Sequence, residues 1–128
     1  MLKKMARLLS KSERGASLVE FALVIPILLT LVMGIIEFGW LFNGWITITG
    51  AAREGARLAV VGKDFDEIDS AVKNHAATLD NVNVSLTTGE AGEQTVVSVS
   101  GNLPLLVGFF PISNPFGLSA EANMRQEI

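Results

Sequence analysis

Phe21-Ala-Leu-Val-Ile-Pro-Ile-Leu-Leu-Thr-Leu-Val-Met-Gly-Ile-Ile36 is an unbroken apolar run, opened by Arg14-Gly-Ala-Ser-Leu-Val-Glu20 and continued past Glu37 through Phe38-Gly-Trp-Leu-Phe42. Roughly 20 apolar residues suffice to cross the hydrocarbon core of a bilayer, so residues 21–42 read as one transmembrane span. Ahead of it, Lys3, Lys4, Arg7, Lys11 and Arg14 stand against Glu13 alone. Basic residues beside a span hold that end in the cytoplasm, which places the C-terminal side outside. A secretory signal peptide has the same basic-then-apolar order, but its apolar core is about 7–15 residues and ends in a small-residue cleavage site. Here the run is longer and leads into Trp40-Leu-Phe-Asn-Gly-Trp45, whose indoles suit a membrane–water interface.

Three residues interrupt the apolar pattern. Pro26 removes a backbone donor and predicts a kink or a loosened turn. Glu20 and Glu37 are 17 residues apart, about 26 Å of helix at ~1.5 Å per residue, which fits one carboxylate at each interface. A carboxylate at the mouth of a span is costly unless something neutralises it. Arg53, the first cation of the chain after Glu20, is about 50 Å away along a continuous helix. The leader bases are nearer.

A chain of 128 residues with a net charge of −3 accommodates this span and one small domain. The leader carries a net +4, so residues beyond Gly15 total −7, a poor balance for binding nucleic acid or an anionic membrane surface. No cysteine is present, which excludes disulfides and thiol chemistry. With one histidine, no phosphate-binding glycine loop and no metal-ligand spacing, the chain is read as a non-enzyme without cofactor or metal. The acids Asp64, Asp66, Glu67 and Asp69 lack the spacing and glycine of a calcium loop and favour a helix N-terminus.

Beyond the span, Ile46–Val61 continues as helix. Ala51, Gly55 and Ala59 recur every fourth residue, as do Ala52 and Ala56, and so do Arg53 and Arg57 on another face. Small-residue faces let helices approach closely. Ala52, Arg53, Gly55, Ala56 and Arg57 are therefore helix-packing candidates, either docking neighbouring subunits or covered by this chain's own sheet. From Ala16 to Val61 an unbroken helix measures about 69 Å. Gly62 suits its C-cap. Asp64–Leu79 then reads as an amphipathic helix with a capping box formed by Asp64 and Glu67, and His75 at the edge of its apolar stripe.

Val82–Leu86, Val97–Ser100 and Leu118–Met124 alternate apolar and polar residues, which predicts three strands, with Thr87–Gln94 as a polar hairpin loop. Leu103–Phe116 is an unusually apolar connection for its length. It either folds over the small sheet or long helix, or contacts another subunit or the membrane surface. The expected fold is α+β. A cytoplasmic leader (1–15) precedes a long helix (16–62) containing the transmembrane segment, followed by an extracytoplasmic domain (63–128) with one amphipathic helix and a three-stranded antiparallel sheet.

Arg14-Gly-Ala-Ser-Leu-Val-Glu-Phe21 before a long apolar helix resembles the processing site of type IV prepilins. With Ala22-Leu-Val-Ile-Pro-Ile-Leu-Leu29, Ala51-Ala-Arg-Glu-Gly-Ala-Arg57 and Ala122-Asn-Met-Arg-Gln-Glu127, the chain resembles more narrowly the TadE-like proteins of the tight-adherence (Tad) pilus system. The resemblance implies a pilin-like fold and a minor pilin or pseudopilin role in assembling a Tad pilus or related secretion apparatus. It also implies cleavage by a prepilin peptidase between Gly15 and Ala16. The physics is compatible: glycine lets backbone enter a tight site without a Cβ clash. The freed α-amine, of ordinary pKa about 7.7–8, is largely cationic at neutral pH. In related pilins the glutamate at this place is thought to pair with the amine of a neighbouring subunit, which assigns subunit pairing to Glu20 and Phe21. The implied location is the bacterial inner membrane, with possible passage into the pilus. Partners are the peptidase, other pilin subunits and the assembly machinery. The contrasting reading is an unprocessed single-pass membrane protein whose outer domain binds a partner.

Overall fold

The computed structural model describes residues 1–89, 94–108, 111–112 and 114–125. Residues 90–93 of the expected hairpin loop, Phe109 and Phe110 of the apolar connection, and 126–128 of the terminal segment lie outside the described residues. The element order is α1 (Leu2–Val60), α2 (Phe65–His75), β1 (Asp80–Thr88), β2 (Gln94–Leu103) and β3 (Phe116–Arg125). This is the expected α+β fold. Contacts divide it into two units, Met1–Ile36 and Glu37–Ile128.

The first unit is helix alone. Helix α1 begins at Leu2, ahead of the Ala16 expected, and its assignment runs through Pro26. A segment of α1 within Glu13–Val60 is long and apolar enough to cross a membrane, and none of its apolar core is buried. Leu23 is 68% exposed and Ile27 is 71% exposed. A helix apolar on all sides and covered by nothing of its own chain matches lipid or a helical partner better than water. Its one hydroxyl between Phe21 and Ile36 is satisfied internally: Thr30 Oγ1 donates to the Pro26 carbonyl four residues back, at 2.8 Å.

The second unit is built on the C-terminal part of α1. That helix ends in a Schellman arrangement: Gly62 N–H donates to the Ala59 carbonyl and Lys63 N–H to the Leu58 carbonyl, each at 3.1 Å. The turn needs a left-handed residue, and Gly62 supplies it with φ +81°. Helix α2 is shorter than the expected 64–79, and its capping box does not form. Asp64 has N-cap backbone angles but makes no side-chain cap hydrogen bond, while Glu67 pairs with Lys63 at 3.3 Å. The adjacent lysine competes successfully for the carboxylate that the box required.

Strand order is β1-β2-β3, antiparallel throughout. Val84 faces Val99 across the first ladder, and Val97 faces Ala122 across the second. Because side chains alternate along a strand, this register puts Val97, Val99, Leu103, Leu118 and Ala122 in one buried layer with Ile68 and Val72 of α2 and Ile48, Ala52 and Ala56 of α1. The shift between Asp80 and Asn83 coincides with Asn81 at φ +50°, a conformation asparagine tolerates better than most residues.

Candidate functional site

The small residues of α1 are explained by this layer. A Cβ on Gly55 would lie 2.9 Å from Val72 Cγ2 and 3.0 Å from Val97 Cγ1, and one on Gly44 would lie 2.6 Å from Leu103 Cδ2. Helix α1 thus approaches both α2 and the sheet so closely that a side chain at Gly44 or Gly55 would make its neighbours shift. Ala51, Ala52 and Ala56 are fully buried in the same packing. The face left open at the sequence level between subunit docking and the chain's own sheet is covered by the chain itself at Ala52, Gly55 and Ala56.

Arg53 and Arg57 lie outside that contact, both exposed. Arg57 grips Glu54 with two hydrogen bonds, Nε at 3.0 Å and Nη2 at 2.7 Å. That bidentate bond, helped by the guanidinium charge, holds the Glu54 carboxyl below its ordinary value. Arg53 makes no ion pair among the described side chains.

At the other end of α1 the candidate processing segment is helical and open. A Cβ on Gly15 would meet nothing within 4 Å. Glycine in a helix interior costs about 1 kcal/mol relative to alanine, and at this position the chain's own packing gives no reason for it. Ala16 is exposed and Phe21 is 63% exposed. Glu20 is exposed and finds no ion-pair partner among the described side chains. Gly15, Ala16, Glu20 and Phe21 are therefore all exposed, far in sequence from Arg53 and Arg57.

Glu37 has a role the sequence did not disclose. Its side chain is buried, at 1% exposure. Oε1 accepts a hydrogen bond from the Leu106 backbone N–H at 3.1 Å, and Oε2 accepts one from Val107 N–H at 2.8 Å. One turn further along α1, the Trp40 indole N–H donates to the Pro104 carbonyl at 2.9 Å. The base of the connection is closed by the ladder pair Leu103 and Phe116 and by Leu105 N–H donating to Asn114 Oδ1 at 3.4 Å. The described part of the connection is shut at its neck and held against α1 by one carboxylate and one indole. Charge-assisted hydrogen bonds are about twice as strong as neutral ones, so Glu37 is the stronger of the two ties. The sequence marked both partners as unusual, a carboxylate in an apolar run and an uncharged proline-broken loop, but carried no signal that they meet.

His75, the exposed last residue of α2, lies against α1 with its Nε2 2.7 Å from where a Gly50 Cβ would be. It fills the space that Gly50 leaves. Among the described residues no group of three or more His, Cys, Asp or Glu side chains could hold a metal ion.

Residues 15–57 match the family model described as TadE-like protein. The match starts at Gly15 and ends at Arg57, so it covers the open segment, the apolar run, Glu37 and the small-residue face. No curated protein and no solved structure matches the chain.

Proposed function

With residues 15–57 carrying the TadE-like pattern, we propose that this protein is a membrane-anchored minor pilin-like (pseudopilin) subunit acting in assembly of a Tad-type pilus or related secretion apparatus. It is not an enzyme on this reading: its chemistry is that of a substrate for processing and of an assembling subunit. A prepilin peptidase removes residues 1–15 on the cytoplasmic side. The bilayer takes up residues 21–42, whose last turns, from Glu37, also begin the outer unit. The folded part then stands outside the inner membrane.

The observation that carries this reading is the state of Gly15–Glu20. Gly15 has open space where a side chain would stand, and Glu20 is an exposed carboxylate beside an apolar run. A peptide bond inside a helix has to unwind to enter a protease site, and glycine is the non-proline residue that resists this least. Cleavage creates the cationic amine of Ala16. Supplied by a neighbouring subunit, that amine offsets the cost of carrying Glu20 into an apolar bundle. While the leader is attached, the amine does not exist.

The test is the N-terminus of the protein recovered from membrane and sheared-filament fractions. Mature chains beginning at Ala16, with Gly15→Leu retaining its leader and failing to support pilus assembly, are expected. An intact leader in cells with active prepilin peptidase refutes the proposal and favours an unprocessed membrane-anchored binding protein. Glu20→Ala should still be processed but should lose assembly.

A further inference from the structure

We propose that the loop between β2 and β3 is a second membrane contact, seated in the lipid interface. This rests on the reading that residues 21–42 cross the bilayer with Glu20 and Glu37 at its two interfaces. Glu37 and Trp40 bind the loop backbone at 104, 106 and 107; Glu37 follows directly on Ile36, and Trp40 comes three residues later. Four residues of helix rise about 6 Å. The interfacial layer on each side of a ~30 Å hydrocarbon core is about 5–7 Å deep. The loop is thus tied to the stretch of α1 that passes through that layer.

Its side chains suit that place. Leu106 is 58% exposed, and Val107 and Ile112 are also exposed. No charged residue occurs from Gln94 to Ala120, so nothing opposes entry into the headgroup–acyl boundary. The carboxylate that holds the loop points inward and is buried, and the Trp40 indole donates to the loop instead of to headgroups. A water-facing loop with this much exposed apolar surface is unfavourable, whereas a lipid interface accepts it.

The absence of cysteine makes single-label measurements clean. Environment-sensitive fluorophores are placed on Leu106→Cys, Ile112→Cys, Asn123→Cys and Leu28→Cys in the full chain reconstituted in phosphatidylcholine vesicles. Asn123 is the control because it lies seven residues along β3 from Phe116, about 23 Å from the loop base at ~3.3 Å per residue. Quenching by lipid-borne nitroxide should be several-fold greater at 106 and 112 than at 123, and unchanged as the protein-to-lipid ratio is lowered. Equal accessibility of 106, 112 and 123 to an aqueous quencher overturns the proposal. So does shielding that disappears on dilution in lipid, which identifies a second copy as the occupant. The label at 28 reports insertion of the span separately, so failure of the anchor is distinguishable from failure of the loop. In Glu37→Gln, quenching at 106 should fall while that at 28 stays. Unchanged quenching at 106 overturns the assignment of Glu37 as the tie.

Discussion

Replacing Glu37 with Gln keeps the volume of the side chain but not its acceptors. Both carboxylate oxygens accept from backbone N–H groups, at 3.1 and 2.8 Å. An amide keeps one oxygen and turns an NH2 donor toward the second N–H. One hydrogen bond to a charged group, worth about 1.5–3 kcal/mol, is lost, and an unsatisfied buried donor costs about 1–3 kcal/mol. These overlap, and both bonds are only partly buried, so water entering under a lifted loop returns part of the loss. The expected cost is about 1.5–2 kcal/mol. Because the ladder pair Leu103 and Phe116 closes the loop independently, the loss should appear as local opening. Amide exchange of Leu106 and Val107, followed by NMR on the full chain in lipid nanodiscs, should accelerate about 10–30-fold, at ~1.36 kcal/mol per factor of ten. Amides of Val97 and Val99 in the core strand should change much less. Trp40→Phe deletes the indole N–H donated to Pro104 together with part of the ring, and the lost hydrogen bond should open the loop by about 1 kcal/mol. Unchanged exchange at Leu106 and Val107 in Glu37→Gln refutes the clamp. A larger opening in Trp40→Phe than in Glu37→Gln refutes the ranking of the two ties.

Other substitutions test the packing and the surface pair. Gly55→Ala gains about 1 kcal/mol of helix propensity but drives a methyl against two stiff valines, an overpacking that costs about 1–3 kcal/mol. A net loss of about 1 kcal/mol should lower Tm by about 4–8 °C in calorimetry, and a raised Tm refutes the close approach. Ile68→Ala in the fully buried layer should cost about 2–5 kcal/mol, read as a lower urea midpoint with unchanged slope. A shift equivalent to less than about 0.5 kcal/mol would place Ile68 at the surface. The Arg57 hydrogen bond holds Glu54 below its ordinary value of 4.5, so the folded chain binds that proton less readily than the unfolded one. The stabilisation is then present above the ordinary value and fades as pH falls through the lowered one. The pair is exposed and the effect small. The difference in urea midpoint between wild type and Arg57→Ala should shrink on acidification below 4.5, and a constant difference contradicts the pairing.

Periodicity alone was enough for the elements. Alternation in Val82–Leu86, Val97–Ser100 and Leu118–Met124 located all three strands, because a sheet with one buried face writes its register into the residue pattern. The observed strands extend further at both ends, since ladder pairing continues through residues such as Asn102 and Gly117 that carry no alternation. Helix α2 stops earlier than its apolar stripe, at His75, because Ala76 and Leu79 join the core from a turn as readily as from a helix. The expected capping box does not form for a local electrostatic reason, the nearness of Lys63 to Glu67.

The opening segment, the apolar run and their basic leader are properties of the chain in order: charge, hydropathy and glycine placement need no neighbours to be read. That is why a membrane-competent helix and the TadE-like pattern were legible before any coordinates. What covers Ala52, Gly55 and Ala56, and what Glu37 is for, depend on contacts between residues up to 70 positions apart. A small-residue face reads the same whether its partner is another molecule or its own sheet, and a buried carboxylate reads the same as one at an interface. Only the folded chain, by bringing Val72, Val97, Leu106 and Val107 against α1, distinguishes them.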